Sequence, residues 1–208
     1  MTLRGFWLIE AIKTELEEHC PRTVSCANIL TAATCDVIRE VGVGYVPRGR
    51  ESVTGLITLF ESNGLNVRDL VVLSGAHTIG KATCAAVKLR LCSSKPETLD
   101  RKYGDFLRRK CRHTGDFAEY EWVELDGETP TVFDSSYFKN LEHKMGLLET
   151  DQKMLEDSRT RSFVQEMARE PEEFKHEFAM AMRRIGEMQV LTGDEGEVHH
   201  KSPAINKY

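Results

Sequence analysis

DLVVLSGAHTIGKATC, at residues 69–84, places one histidine between two predicted helices. The NVRD that ends at Asp69 has an Asn three residues before an Asp, which resembles a capping box and predicts that a helix begins there. SGAHTIGKAT, at 74–83, is small and polar, and CAAVKLRL after it is a helical run. His77 therefore lies among small neighbours. For a single histidine in such a place, the alternative is a buried structural side chain.

The rest of the sequence predicts a mainly α fold. Apolar residues from Leu3 to Leu16 recur at spacings of three and four, which predicts a helix that ends at Cys20–Pro21. The irregular, acidic stretch 113–131 predicts a long loop. The other predicted helices lie at 25–39, at 52–64, at 100–111, at 133–144 with Gly146 as its C-cap, at 150–157, at 158–170, and from Pro171 onward.

Composition and charge exclude several classes of function. Of the 208 residues, 40% are apolar and 29% are charged, which is typical of a folded globular protein. A net charge of −5 gives no reason to propose a nucleic acid or an anionic membrane as a partner, because phosphate binding needs clustered positive charge, so neither is expected. No apolar run approaches the roughly 20 residues that span a bilayer. The first residues also lack the apolar run and small-residue cleavage site of a signal peptide.

Four segments together resemble a class III (secretory plant) haem peroxidase, and the resemblance covers nearly the whole chain. They are TVSCANILTAA at 23–33, the stretch 69–84, TPTVFDSSYFKNL at 129–141 with GLLETDQ at 146–152, and FAMAMRRIGEMQVLTGDEGEV at 178–198. The resemblance implies the haem-peroxidase fold. Residues 1–62 would be a remnant of the distal-side helices, and residues 63–208 the proximal haem-ligand domain with a calcium site and the C-terminal helices.

The resemblance implies that His77 is the proximal ligand of the iron of haem b. An iron-bound imidazole is held in one orientation by an acceptor on its other ring nitrogen. Asp151 stands where the family has that acceptor, so we expect it to be the hydrogen-bond partner of His77. The small residues Gly75, Ala76 and Gly80 are expected to leave room for the flat porphyrin.

The resemblance also implies a calcium site beside His77. Calcium binds six to eight oxygens from carboxylates, hydroxyls and carbonyls. The matching positions all bear oxygen and are Thr78, Asp126, Thr129, the carbonyl of Val132 and Asp134. The alternative is that the two aspartates are only a turn residue and a helix cap.

Six cysteines are many for a chain of this length and point to an oxidising compartment. Cys84 and Cys111 match a disulfide of the family. The resemblance leaves open the state of Cys20, Cys26, Cys35 and Cys92.

Two parts of the family pattern are missing from this sequence. The family takes its distal His and Arg from an RLxFHDCF motif, which does not occur here, so no catalytic residue is assigned. GRES at 49–52 continues directly into VTGLITLF, where the family has a longer segment that carries its donor site. We therefore expect a chain that is truncated at its N-terminus and carries an internal deletion. An uncovered haem face would offer an apolar surface to a protein partner.

Three functions follow from these observations. The first is the family's chemistry, which is oxidation of small phenolic donors by hydrogen peroxide, as in a response to oxidative stress. The second is a non-catalytic haem-binding or helical interaction protein, and the third is a helical scaffold without haem. The family is secreted or vacuolar, but the sequence leaves the location of this chain open.

Overall fold

The computed structural model describes residues 6–21, 23–24, 29, 49, 51–91, 98–111 and 121–188. The chain divides into two compact units, residues 1–46 with 186–208 and residues 47–185. The predicted division at residue 62 concerns which parts of the peroxidase fold are present, and it stays a prediction. Apart from Ile29, the predicted helix 25–39 lies outside the described residues, as do Cys26, Cys35 and Cys92.

The first unit contains helix α1, Phe6–His19, as the apolar periodicity predicts. The helix ends where the sequence places its end, because the Cys20 amide makes the last helical bond, 2.7 Å from the Leu16 carbonyl, and Pro21 follows. The buried Lys13 pairs with Glu17. Its Nζ also donates to the Val24 carbonyl at 2.8 Å, so the chain after α1 turns back along the helix.

The helices of the second unit begin largely where the capping residues predict. Ser52 accepts a hydrogen bond from the Gly55 amide at 3.1 Å and starts one helix. Asn66 and Asp69 form a complete capping box at the start of the next. The helices are α2 (Val53–Ser62), α3 (Val67–Ser74), a 3-10 helix (Gly75–Thr78), α4 (Cys84–Leu91), α5 (Arg101–Lys110), α6 (Ser136–Glu142), α7 (Glu149–Glu156), α8 (Arg161–Arg169) and α9 (Pro171–Gly186).

A short sheet replaces part of the predicted long loop. Strands β1 (Lys81–Thr83) and β2 (Trp122–Glu124) pair antiparallel, with Ala82 opposite Val123. Strands of three residues are too short to show an alternating pattern, which explains why the sequence indicated only loop. The Lys81 Nζ lies 2.9 Å from Glu124 Oε1 across the pair.

The predicted C-cap of α6 at Gly146 is wrong. The helix ends at Glu142, and Lys144 has a left-handed φ of 59°. Gly146 has a packing role instead, because a Cβ there would lie 2.7 Å from the Leu141 side chain. The glycine therefore lets the chain after α6 pass close to that helix.

The main hydrophobic core of the second unit lies among α2, α3, α6, α7, α8 and α9. It includes the buried Leu70, Phe138, Met167 and Phe174. A second cluster joins α4, α5 and β2 around Val87 and Leu107. In the described ranges, no helix is long and apolar enough to cross a membrane.

Candidate functional site

A tight turn between α3 and the sheet positions His77. Helix α3 ends at Ser74, whose hydroxyl donates back to the Leu70 carbonyl at 2.8 Å. The 3-10 helix then carries His77, and its last bond runs from the Ile79 amide to the Ala76 carbonyl at 3.2 Å. Gly80 follows with a φ of 98°, a conformation that favours glycine.

Gly75 makes room for the aromatic core. A Cβ at this position would lie 2.5 Å from Phe174 Cε2 and 2.7 Å from Phe138 Cζ. These rings pack edge to face with centroids 5.0 Å apart. The missing side chain of Gly75 lets the 3-10 helix approach the core and so fixes the position of His77. The expected role in leaving space for a porphyrin stays a prediction for Gly75, Ala76 and Gly80.

His77 and Asp151 are brought together as predicted. The Nδ1 atom of His77 lies 3.1 Å from Asp151 Oδ1, although 74 residues separate the two in sequence. Asp151 is 2% exposed, whereas the His77 side chain is 35% exposed. An ionised carboxylate only accepts hydrogen bonds, so it fixes the proton on Nδ1. The lone pair of Nε2 is then available to a ligand.

Two further donors hold the Asp151 carboxylate. The buried Tyr137 hydroxyl donates to Asp151 Oδ1 at 3.1 Å, and the Leu148 amide donates to Oδ2 at 3.3 Å. Burial raises the pKa of Tyr137 well above its usual range, and the charge of Asp151 raises it further. The tyrosine therefore stays neutral and donates its proton.

The pKa of His77 is set by opposing effects. Burial lowers it, but the charge of Asp151 and its hydrogen bond raise it, and the net result is a pKa above the ordinary value of histidine. The same interaction that raises the pKa makes the neutral ring a more electron-rich ligand.

Four predicted calcium ligands meet next to His77. The Thr78 hydroxyl lies 3.4 Å from Asp126 Oδ2 and 3.2 Å from Asp134 Oδ1. The Thr129 hydroxyl lies 3.1 Å from the same oxygen of Asp126 and 3.2 Å from the same oxygen of Asp134. Thr78 and Asp126 are fully buried. We call these four residues the oxygen cluster.

The oxygen cluster contains too few protons for its contacts. Each threonine hydroxyl supplies one proton, and an ionised aspartate supplies none. Two protons therefore serve four oxygen–oxygen contacts, and two of these contacts bring oxygens together without a hydrogen between them. Oxygens that share a calcium ion at 2.3–2.6 Å lie about 3 Å apart, which is close to the spacing seen here. A cation is the group that this donor set fits.

The fifth predicted calcium ligand, the carbonyl of Val132, makes no contact that the structure describes with the oxygen cluster. Val132 has an exposed side chain, and its amide donates to the Thr129 carbonyl at 2.9 Å in a turn. Its carbonyl as a ligand stays a prediction. Among the described residues, no three His, Cys, Asp or Glu side chains form a group that could hold a metal, and the oxygen cluster itself has only two carboxylates.

The predicted disulfide is present. Cys84 and Cys111 are bonded and join the start of α4 to the end of α5 across 27 residues. Closing a loop of this length stabilises a protein by roughly 3–4 kcal/mol. Cys20 is exposed and has a free thiol.

Sequence reasoning missed Tyr137 and Asn140, which both lie on α6. Asn140 donates to Asp126 Oδ1 at 2.9 Å, next to the Glu128 amide at 2.8 Å. Their spacing of three residues places them on one face of the helix. From that face, Tyr137 contacts Asp151 and Asn140 contacts Asp126. That spacing was visible in the sequence, but their hydrogen-bond partners were not.

Comparison with known proteins identifies the family. The peroxidase family model matches residues 1–51 and 40–170. The chain is 43% identical to Peroxidase 7 of Arabidopsis thaliana over 95% of its length, and it covers 63% of that protein. It is 37% identical to Peroxidase 14 of the same plant, covering 98% of this chain and 68% of the relative. For the lignin-forming anionic peroxidase of Nicotiana sylvestris, identity is 36% over 98% of this chain and 69% of the relative.

The chain thus spans about two thirds of the length of these relatives. The two stretches matched by the family model overlap at residues 40–51, close to GRES at 49–52, where the sequence predicts an internal deletion. The matched residues include His77 and the oxygen cluster. This chain belongs to the plant haem peroxidase family.

Proposed function

We propose that this chain forms the proximal half of a haem peroxidase site, with His77 as the iron ligand through Nε2. The observation that carries the proposal is the 3.1 Å contact between His77 Nδ1 and the buried Asp151. It leaves Nε2 as the free nitrogen on a side chain that is one third exposed. Within the part of the chain that the structure describes, no hydrogen bond to Nε2 is seen, which leaves this nitrogen available to a ligand.

Haem b, when bound, supplies an iron that reacts with hydrogen peroxide and accepts electrons from a donor. The residues of this chain orient and tune the ligand. Asp151 holds the ring in one tautomer and increases its basicity. Tyr137 and the Leu148 amide hold Asp151 in turn.

Calcium is proposed as the cation of the oxygen cluster. Thr78 directly follows His77 in the chain, so a cation bound there would fix the backbone of the 3-10 helix. Asp134 accepts a hydrogen bond from the Ser136 amide at 2.7 Å, at the start of α6, which also carries Tyr137. Occupation of the cluster would therefore stabilise both sides of the His77 site.

Oxidation of phenolic donors by hydrogen peroxide is the activity that the family resemblance implies. We propose it for a site in which a distal His and Arg are also present. A second candidate is a haem protein that does not activate peroxide. It is favoured by the lack of an RLxFHDCF motif in these 208 residues, since that motif supplies the family's distal His and Arg. The iron ligand is the same in both cases.

Haem titration of the purified chain tests the proposal. We expect a Soret absorption band that saturates at one haem per chain and is lost in His77→Ala. His176→Ala is the matched control, because His176 is an exposed residue of α9 and alanine is compatible with a helix. A band that survives in His77→Ala would contradict the proposed ligand.

Addition of hydrogen peroxide to the haem-loaded chain separates the two candidates. A change in the spectrum followed by its return on adding a phenolic donor supports a peroxidase. A spectrum that depends on His77 but does not respond to peroxide supports the non-catalytic haem protein. Failure to bind haem would contradict both.

A further inference from the structure

Tyr137 contacts the same carboxylate oxygen as the proposed iron ligand. Its hydroxyl and His77 Nδ1 each lie 3.1 Å from Asp151 Oδ1, so two donors share one acceptor atom. The rings of His77 and Tyr137 also meet edge to face, with centroids 6.0 Å apart. Tyr137 is 3% exposed, so no bulk water competes for its hydroxyl.

Shared use of one oxygen limits each hydrogen bond. A carboxylate that receives a second proton donor has less charge left to attract the first. The effect is large where the carboxylate is buried, because the local dielectric is low. At Asp151, the tyrosine hydroxyl must weaken the bond to the histidine Nδ1–H.

We propose that Tyr137 is a positioning residue that limits how strongly His77 donates electrons to a haem iron. It acts through Asp151, since its hydroxyl takes part of the charge that would otherwise draw the proton from Nδ1. Without the hydroxyl, the ring becomes more anionic and stabilises ferric over ferrous iron. This inference rests on the proposed function, because it concerns the ligand proposed there.

The variant Tyr137→Phe removes only the hydroxyl. The ring remains to pack edge to face against Phe138, at a centroid distance of 4.9 Å, and to fill the buried space. Tyr103→Phe is the matched control. Tyr103 lies on α5, where its ring stacks on Phe106, and its replacement also removes only a hydroxyl. That hydroxyl does not bond to Asp151.

Two readouts test the inference. In the haem-free chain, proton NMR measures the chemical shift of the His77 Nδ1–H, and Tyr137→Phe should move it downfield as the bond to Asp151 strengthens. In the haem-loaded chain, a spectroelectrochemical titration measures the ferric–ferrous midpoint potential, and the same variant should shift it to a more negative value. Tyr103→Phe should leave both at the wild-type values.

The outcomes separate this inference from the proposed function. An unchanged Nδ1–H shift, or an equal change in Tyr103→Phe, overturns the role of Tyr137 whether or not haem binds. A downfield shift with an unchanged potential overturns the link to the iron. A chain that binds no haem through His77 overturns the proposed function and the effect on iron, while the NMR result still decides whether Tyr137 controls the His77–Asp151 bond.

Discussion

His77 and Thr78 are neighbours in sequence but belong to two sites that differ in how many of their polar contacts have a proton to share. At His77, the Asp151 carboxylate receives three donors, and every contact has its proton. At Thr78, two hydroxyl protons serve four contacts with Asp126 and Asp134. The contacts at the first site are satisfied within the protein, whereas the second has the donor set that fits the cation proposed above. We therefore expect the His77 site to orient its ligand and the Thr78 site to gain stability from its ligand.

Calcium removal should have a large effect, because the oxygen cluster contains too few protons for its contacts and calcium is proposed to bind there. At a calcium concentration about 100 times its dissociation constant, binding raises the free energy of unfolding by about 2.7 kcal/mol. Thermal or urea denaturation with calcium and with a chelator measures the difference. Equal stability in the two conditions would contradict the account of the cluster.

The substitution Asp151→Asn should destabilise the chain by about 1–3 kcal/mol, because the new amide must point its N–H groups at one of the existing donors. If the amide nitrogen faces His77 and Tyr137, the histidine must move its proton to Nε2. We expect lower stability in urea denaturation and loss of haem binding. Glu142→Gln, at an exposed position of α6, makes the same chemical change and should be neutral.

Unlike Asp151→Asn, the substitution Asp126→Asn should not lower the free energy of unfolding of the calcium-free chain. Its amide nitrogen could donate to both threonine hydroxyls, which would then both donate to Asp134, so that all four contacts would have a proton. We expect an unfolding free energy that is unchanged or raised by about 1 kcal/mol without calcium. Added calcium should no longer stabilise this variant. A large loss of stability without calcium would show that the cluster is not short of protons.

Much of this architecture was predictable because its signals are local. Ser52, the Asn66–Asp69 box and Asp100 start their helices where a capping side chain reaches an amide three residues away. Only resemblance to a family identified His77, Asp151 and the oxygen cluster. Local patterns could not, because Thr78 lies 48 residues from Asp126 and His77 lies 74 residues from Asp151.

The missed features depend on packing between distant segments. The pairing of β1 with β2 joins residues about 40 apart in strands of three residues, too short to leave a pattern. Asp69 was predicted only as a capping residue, but it also pairs with Arg184 of α9, 115 residues away. The role of Gly75 depends on two phenylalanines from α6 and α9, which no local rule places there.

Resonance Raman spectroscopy of the ferrous, haem-loaded chain detects the proposed bond between iron and His77. The chain is prepared with ordinary histidine and with histidine labelled with nitrogen-15. If His77 binds the iron, an iron–nitrogen stretching band is expected that shifts to lower frequency on labelling. In labelled His77→Ala supplied with unlabelled imidazole, the band should return at the unlabelled frequency. A band that stays isotope-sensitive in His77→Ala would mean that another histidine binds the iron, and the account would be contradicted.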